Sequence, residues 1–159
     1  MIEIIELPPR TILGMRCKVT PVVAGGANTP NVIGELWQSV STKFFSLSID
    51  RDDYPLGVGA MWPAGIAPDG EMIYFAGYEV SQLPQELSGL ESLNIPGGRY
   101  AALTHDGPMS TLPETVASFY ADKLPKSGFE RRAGMDLELY LETGAPDFTS
   151  STVIAAPVI

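Results

Sequence analysis

The sequence feature that most constrains the fold is a pattern that occurs twice, in the same order, along the chain. Residues 6–15 and 94–103 each place an apolar residue and a proline before a short run of mostly small or apolar residues. Residues 74–80 and 153–159 form a second matching pair, in which small residues interrupt an apolar strand pattern. Repetition of this kind predicts an internal duplication. Two similar units in one chain leave a cleft at their junction, and small ligands usually bind in such clefts.

Hydrophobic periodicity predicts the same elements in both halves. The first half contains a strand interrupted by Pro8-Pro9, a helix that opens at Thr29-Pro30, and two further strands. The second half contains a strand bent at residues 96–98, a helix that opens with a capping-box sequence at residues 111–114, and two closing strands. The predicted strands span residues 2–7, 11–20, 56–62, 71–80, 90–104, 136–142 and 152–159. The predicted loops include residues 21–28, 49–54, 63–70 and 143–151.

Each half is therefore predicted to be a β-α-β-β repeat. Repeat one covers about residues 1–80, a linker covers 81–89, and repeat two covers about 90–159. A chain of 159 residues is expected to form one domain. The predicted fold class is α+β with pseudo-twofold symmetry: a sheet in which antiparallel pairs dominate, two helices on one face, and a ligand groove on the other face.

The composition excludes several classes of function. The net charge is −9 and the basic residues are scattered, so the basic surface on which nucleic-acid affinity largely depends is not expected. No apolar run reaches the length of a membrane helix, and the acidic N-terminus does not resemble a signal peptide, so we expect a cytoplasmic protein. The single cysteine, Cys17, excludes an internal disulfide. No metal-ligand spacing, phosphate-binding loop or dinucleotide fingerprint occurs, so no cofactor is expected.

The predicted strand at residues 136–142 carries the main candidate for chemistry. Alternation places Asp136, Glu138 and Tyr140 on one face. The leucines between them occupy the other face, which is expected to lie against the helices. The polar face has two interpretations. It is either the solvated outer face that is usual for antiparallel sheets, or the wall of a pocket in which a partly desolvated carboxylate has a raised pKa and attracts a cation.

Aromatic residues on neighbouring strands favour the pocket. Tyr74 and Tyr78 alternate onto one face of their strand, and Trp62 ends the strand before it. Tyrosine and tryptophan rings attract cations, and they do so more strongly where water is excluded. Gly57 and Gly59 lack side chains and are expected to keep the floor of a cavity open, although glycines in strands also mark bulges. The alternative is that these rings are ordinary core residues.

The order of the elements and several local motifs resemble one known family. The motifs are the proline at the first strand bend, Ile95-Pro96-Gly97-Gly98-Arg99-Tyr100, His105-Asp106-Gly107-Pro108, Phe119-Tyr120 in a helix, and Asp136-Leu137-Glu138-Leu139-Tyr140. Together they resemble the GyrI-like effector-binding domain, which forms the drug-binding half of several AraC-type and MerR-type regulators and also occurs alone. The resemblance covers nearly the whole chain. The segment at residues 62–70 has no counterpart in the family pattern.

The resemblance implies a pseudo-symmetric fold with a pocket between the repeats, lined by aromatic rings around one glutamate. By position that glutamate is Glu138, and the resemblance implies that the helix-free face forms the pocket wall. The ligands implied are hydrophobic or cationic drug-like compounds. No helix-turn-helix segment is found, because residue 1 already begins the first predicted strand. Direct DNA contact is therefore not expected of this chain alone.

Three functions follow from these observations. The first is a stand-alone small-molecule-binding protein that holds its ligand through Glu138, Tyr140, Tyr74, Tyr78, Trp62, Gly57 and Gly59. The second, implied by stand-alone family members, is a hydrolase of cyclopropane-bearing alkylating natural products. In that case Glu138 and Tyr140 would be the catalytic pair, since a raised carboxyl pKa suits acid–base work. The third is inhibition of DNA gyrase through contact with that protein partner.

Overall fold

The computed structural model describes residues 1–19, 29–49, 55–62, 72–141 and 149–159. For residues 29–31 and 149–150 it describes the backbone alone. The loops predicted at 21–28 and 63–70, and most of the loops predicted at 49–54 and 143–151, lie outside these ranges.

Both halves contain the same sequence of elements. The first half consists of β1 (Glu3–Leu7), β2 (Arg10–Val19), α1 (Thr29–Phe45), β3 (Gly57–Trp62) and β4 (Met72–Val80). The second consists of β5 (Glu91–Ile95), β6 (Gly98–Pro108), α2 (Leu112–Ser118), β7 (Asp136–Tyr140) and β8 (Thr149–Pro157). A 3-10 turn (Met109–Thr111) precedes α2, which continues as a π-helical turn (Phe119–Lys123) and a final α-helical turn, α3 (Leu124–Lys126). None of the described helices is long and apolar enough to cross a membrane.

The prolines separate strands that the sequence pattern predicts as one bent strand. β1 ends before Pro8-Pro9 and pairs with β6 of the other half, whereas β2 pairs with β4 and β5. Consecutive prolines have no amide hydrogens to donate, so strand pairing stops there. In the second half Gly98 has a φ of 151°, a conformation that favours glycine, at the equivalent break. Each half is therefore β-β-α-β-β, and the predicted β-α-β-β repeat was wrong by one strand.

The eight strands form one antiparallel sheet in the order β1-β6-β8-β7-β3-β4-β2-β5. Exchanging equivalent strands of the two halves turns this order into its own reverse, so the topology has pseudo-twofold symmetry. The halves meet where β3 pairs with β7, and Gly59 lies opposite Glu138 at this junction. The division into two repeats remains a prediction, and this order supports it.

Both helices lie on the same face of the sheet, as predicted. On this face α1 packs on β2 and β4, with a core formed by Leu13, Val19, Leu36, Val40, Phe44, Tyr74, Ala76, Tyr78 and Leu90. α2 and the turns that follow it pack on β6 and β8, with a core formed by Ala101, Leu103, Leu112, Phe119, Leu124, Ile154, Ala156 and Val158.

The opposite face does not form the predicted groove lined by Glu138. It carries an apolar core of its own, which includes Leu137, Leu139 and Phe75. Side chains from β1 and β5, at opposite ends of the sheet order, pack on this one core. The sheet therefore curls around its helix-free face. The β7 leucines fill that face, and Asp136, Glu138 and Tyr140 lie on the helix-bearing face, which reverses the prediction.

Two local predictions at the start of the second helix were also wrong. The Thr111 side chain does not cap α2. Its hydroxyl instead donates to the Pro108 carbonyl at 2.9 Å, because a 3-10 turn precedes the helix and Thr111 already has helical dihedral angles. The strand predicted to end at residue 104 continues through residues 105–108, which form the end of β6 and pair with β8.

Candidate functional site

The candidate site lies where the two halves meet, on the helix-bearing face of the sheet. Glu138 occupies the middle of β7, and only 9% of its surface is exposed. Tyr140 follows on the same face and is half-buried. Trp37, on α1, packs its ring edge-on against the Tyr140 ring at 5.3 Å between centroids. A residue of the first helix therefore contacts the strand that carries Glu138.

Gly59 allows Tyr74 to reach this cluster from the far side of β3. β3 lies between β4, which carries Tyr74, and β7, which carries Glu138. A Cβ at Gly59 would overlap the Tyr74 hydroxyl and lie 2.8 Å from its ring carbon Cζ. The tyrosine ring therefore occupies the space that the missing side chain leaves. The prediction that Gly59 keeps a cavity floor open was wrong, because Tyr74 fills that floor.

A chain of hydrogen bonds links α1 to Glu138. The Trp37 indole Nε1 donates to the Tyr74 hydroxyl at 3.1 Å. The Tyr74 and Tyr140 hydroxyls are 3.5 Å apart, and the Tyr140 hydroxyl donates to Glu138 Oε2 at 3.0 Å. Indole is only a donor and an ionised carboxylate only an acceptor. The two hydroxyls between them therefore donate towards Glu138, and the whole chain stabilises its negative charge.

Burial determines the electrostatics of this chain. It raises the pKa of the Glu138 carboxyl, and the hydrogen bonds from Tyr140 and Tyr74 oppose part of that rise. Burial also raises the pKa of the Tyr140 hydroxyl, and the charge of Glu138 raises it further. No Lys or Arg among the described residues forms an ion pair with Glu138. Within the described part of the chain, hydroxyl groups alone compensate this carboxylate.

Asp136, two residues earlier on the same face, has a different environment. It is also buried, with 7% of its surface exposed. Its Oδ1 accepts a hydrogen bond from the Arg131 guanidinium at 2.6 Å, within an ion pair. Burial raises the pKa of the Asp136 carboxyl, and the charge of Arg131 opposes the rise. Folding therefore supplies a cation to this carboxylate.

The π-helical turn brings Tyr120 to the same end of the site. Its ring packs edge-on against Phe119, with 4.9 Å between centroids. The Arg131 guanidinium lies over the Tyr120 ring at 5.9 Å. The Tyr120 hydroxyl is buried beside the Asp136 carboxyl, with which it interacts, but it has no hydrogen-bond partner of ordinary geometry among the described residues. Burial raises the pKa of this hydroxyl, and the charges of Asp136 and Glu138 add to the rise.

The remaining predicted site residues fall into two groups. Tyr78 lies near the site, where its ring is 5.6 Å from the Trp37 ring and its hydroxyl is 2.7 Å from that of Ser41. Gly57 pairs with both Tyr78 and Tyr140 in the sheet. Trp62 is not brought together with Glu138. It packs on the core of the opposite face, where the Arg16 guanidinium covers its ring at 5.2 Å.

Sequence reasoning missed Trp37 and Tyr120 as site residues. Both lie on the apolar stripes of their helices, a position that by itself indicates packing against the sheet. Each carries a polar group on a ring that faces the sheet, and such groups usually find a partner when they are buried. That polar group was the available signal, because leucine would have packed equally well at a purely apolar position.

The single histidine of the sequence makes contacts that are typical of a structural residue. His105 is buried on β6, where its Nδ1 lies 2.7 Å from the Thr115 hydroxyl and its Nε2 lies 3.1 Å from the Pro108 carbonyl. Since a carbonyl can only accept, Nε2 carries the proton and donates it there. These contacts tie β6 to the start of the second helix. Cys17 is half-buried against the α1 core. The described residues include no group of His, Cys, Asp and Glu that could hold a metal ion.

Comparison with known proteins gives related sequences and folds. The transcriptional regulator BrlR of Pseudomonas aeruginosa is 28% identical over 139 residues, which cover 87% of this chain and 47% of the regulator. The chain thus spans about half the length of that protein. The structure of SAV2435 bound to tetraphenylphosphonium superposes with a TM-score of 0.73 at 13% identity, covering 100% of this chain and 94% of that one.

A third comparison concerns a domain of another protein. The EcmrR C-terminal domain superposes with a TM-score of 0.62 at 14% identity, covering 100% of this chain and 97% of that domain. At such identities these likenesses concern the fold. The family itself follows from the sequence, because residues 1–158 match the GyrI-like small molecule binding domain. The protein therefore belongs to the GyrI-like small-molecule-binding domain family.

Proposed function

We propose that this protein binds lipophilic cations on the helix-bearing face of its sheet, with Glu138 as the counter-ion. The observation that carries the proposal is a buried carboxylate to which the described residues supply hydroxyl groups but no cation. A buried charge without a partner is costly. A ligand cation that reaches Glu138 relieves this cost, so part of its binding energy comes from the charge that folding leaves uncompensated.

The surrounding rings supply the rest of the recognition. Trp37 and Tyr140 are half-buried and form the outer part of the aromatic cluster, while Tyr74 forms its buried base. Faces of such rings attract cations, and the attraction grows as water is excluded. A flat or bulky aromatic cation satisfies both features, because its rings bury apolar surface while its charge approaches Glu138. The tetraphenylphosphonium bound to SAV2435 belongs to this chemical class.

Calorimetric titration with tetraphenylphosphonium tests the proposal. Removing one partner of a desolvated charge pair typically costs about 2–5 kcal/mol of binding free energy. Glu138→Gln keeps the shape of the side chain and should therefore weaken binding by well over tenfold. Glu86→Gln is the matched control, since Glu86 is exposed and its substitution changes the net charge equally. Equal affinities for wild type and Glu138→Gln would overturn the assignment.

A hydrolase is the second candidate. One observation favours it: burial raises the pKa of Glu138 beside the hydroxyl of Tyr140, and a carboxyl with a raised pKa is suited to general acid–base catalysis. The test is the consumption of a cyclopropane-bearing alkylating compound by wild type and by Glu138→Gln. If wild type consumes the compound and Glu138→Gln does not, the function is hydrolysis and not binding alone. An unchanged compound after prolonged incubation with wild type would leave binding as the function.

The acidic surface also carries a prediction about partners. With a net charge of −9, the chain lacks the cationic charge that drives association with the phosphate backbone. We therefore propose that the ligand is a small molecule and that this chain does not bind duplex DNA by itself. A gel-shift titration at physiological salt should show no complex. Micromolar binding that weakens steeply with salt would contradict this proposal. Contact with a protein partner such as DNA gyrase is a separate proposal, which a supercoiling assay tests.

A further inference from the structure

The Tyr120 hydroxyl is a polar group for which folding provides no hydrogen bond of ordinary geometry. It is buried, and its interaction with the Asp136 carboxyl falls short of ordinary hydrogen-bond geometry. Its ring is held in place on two sides, by Phe119 and by the Arg131 guanidinium. Burying a hydroxyl oxygen whose lone pairs meet no donor costs free energy, so a ligand that supplies the donor gains part of this cost on binding. Tyr120 also lies in a π-helical turn, a distortion that often occurs at functional sites.

The groups around this hydroxyl determine what kind of ligand atom fits there. Asp136 and Glu138 project from the same face of β7, about 6.6 Å apart along the strand. Arg131 already binds Asp136 Oδ1. Both carboxylates act on Tyr120, since their charges raise the pKa of its hydroxyl. The interaction with Asp136 directs the hydroxyl hydrogen towards that carboxylate, and the oxygen lone pairs are left without a donor among the described residues. A ligand acceptor would be repelled there, whereas a ligand N–H would be accepted.

We propose that the Tyr120 hydroxyl oxygen accepts a hydrogen bond from an N–H group of the bound cation. The site then favours protonated amines and amidinium-like cations over cations that carry no N–H, such as phosphonium and quaternary ammonium ions. This inference rests on the proposed function, because it concerns the same ligand at Glu138. It adds a second contact from the other half of the helical layer, and it assigns chemical selectivity to Tyr120, a residue outside the hydrogen-bonded chain that ends at Glu138.

A matched pair of dyes tests the inference. Rhodamine 123 and tetramethylrhodamine methyl ester are both cationic xanthene esters, and they differ in carrying N–H or N–CH3 groups. Fluorescence-anisotropy titrations of both dyes are made with wild type and Tyr120→Phe. Tyr120→Phe should weaken rhodamine 123 by about three- to tenfold, the effect of one hydrogen bond. The affinity for the methylated dye should stay the same. Dividing the fold-change in affinity for rhodamine 123 by that for the methylated dye cancels any effect of dye size that is the same in wild type and in Tyr120→Phe.

Two further variants separate this inference from the proposed function. Tyr100→Phe is the matched control, because the Tyr100 hydroxyl donates to the Pro96 carbonyl and its ring lies in the core of the opposite face. It should change neither affinity. Glu138→Gln should weaken both dyes. If it weakens neither, or if wild type binds neither dye, the proposed function fails and this inference fails with it. If Glu138→Gln weakens both dyes while Tyr120→Phe changes both equally or neither, the inference alone is overturned.

The folding of Tyr120→Phe is checked by thermal unfolding. The substitution keeps the ring and removes a buried hydroxyl without an ordinary partner, so the melting temperature should equal or exceed that of wild type. A clear decrease would show that the hydroxyl already has a strong partner within the protein, and this result would also overturn the inference.

Discussion

Asp136 and Glu138 lie on the same face of one strand, two residues apart, and are almost equally buried. Asp136 has an arginine at 2.6 Å, whereas Glu138 has the hydroxyl of Tyr140 at 3.0 Å and no cation among the described residues. Under the proposed function, the comparison distinguishes a structural carboxylate, Asp136, from a ligand-binding one, Glu138. Folding neutralises the first, and it leaves the second with a charge that a ligand is able to compensate.

Under the same proposal, the comparison also indicates where stability is given up for function. A buried ion pair contributes little net stability, but breaking it leaves a buried charge unpaired. At Asp136 that unpaired state arises only by mutation. At Glu138 it is the native state, moderated by the hydrogen-bonded chain from Trp37 through Tyr74 and Tyr140. Equivalent substitutions at the two positions should therefore have opposite effects on stability.

The largest effect on stability is expected from breaking the structural pair. Arg131→Met leaves Asp136 buried without a cation and should cost about 2–3 kcal/mol of unfolding free energy. This is less than for a fully buried pair, because 35% of the Arg131 side chain is exposed and solvent screens its charge. Urea denaturation gives the value. The double variant Arg131→Met/Asp136→Asn should recover most of the loss, and a double variant no more stable than Arg131→Met would contradict this account of the pair.

A smaller effect is expected at the glycine that admits Tyr74. Gly59→Ala introduces a Cβ that overlaps the Tyr74 hydroxyl and ring, so the ring must move away from Tyr140. Overpacking of this kind typically costs about 1–3 kcal/mol, and we expect the lower part of that range because Tyr74 is a side chain and not backbone. Affinity for tetraphenylphosphonium should also fall. Gly34→Ala is the control, since a Cβ at Gly34 meets nothing within 4 Å. Unchanged stability and affinity in Gly59→Ala would show that the ring position is unimportant.

The smallest effect is a dependence of stability on pH. The folded-state pKa of Glu138 is raised above the ordinary 4.5 by burial, so the folded protein holds this proton more tightly than the unfolded chain. The carboxyl then contributes nothing below the unfolded pKa and destabilises the fold as the pH rises through the folded pKa. The stability of Glu138→Gln relative to wild type should therefore increase from about pH 4 to about pH 7. A difference that stays constant with pH would mean that the pKa is not raised.

Cation binding should depend on the protonation of the same Glu138 carboxyl. Affinity of wild type for tetraphenylphosphonium should decrease when the pH falls through the raised pKa of Glu138, because the neutral acid no longer attracts the ligand. Affinity of Glu138→Gln should vary less over that interval. Asp136 is present in both proteins, so its own titration cancels in the comparison.

Local sequence patterns were sufficient to predict the helices and most strands. They were also sufficient to predict which residues of a strand share a face of the sheet. Alternation along β7 separated Glu138 and Tyr140 from Leu137, and that separation is found in the structure. The pattern does not say which set faces the helices, because both faces of this sheet are buried. The face depends on the pairing of β1 with β6 and of β5 with β2, contacts between distant parts of the chain.

The same reason explains the errors at individual site residues. Whether Trp62 shares a face with Glu138 depends on the register between β3 and β7, which no local pattern specifies. Trp37 meets Tyr140, and Tyr120 meets Asp136, through contacts between elements that are distant in the chain, which a local pattern does not specify either. Glu138 itself was assigned from the family resemblance, and its lack of a cation among the described residues is information that comes from the structure.

The most direct test of the central claim compares two ions of the same shape and opposite charge. Tetraphenylphosphonium and tetraphenylborate each carry four phenyl rings around one central atom, and calorimetry measures their affinity for wild type and for Glu138→Gln. We predict that wild type binds the cation and strongly disfavours the anion, and that Glu138→Gln reduces this difference at least tenfold. If wild type binds both ions equally, or if Glu138→Gln leaves the difference unchanged, Glu138 is not the counter-ion of the ligand.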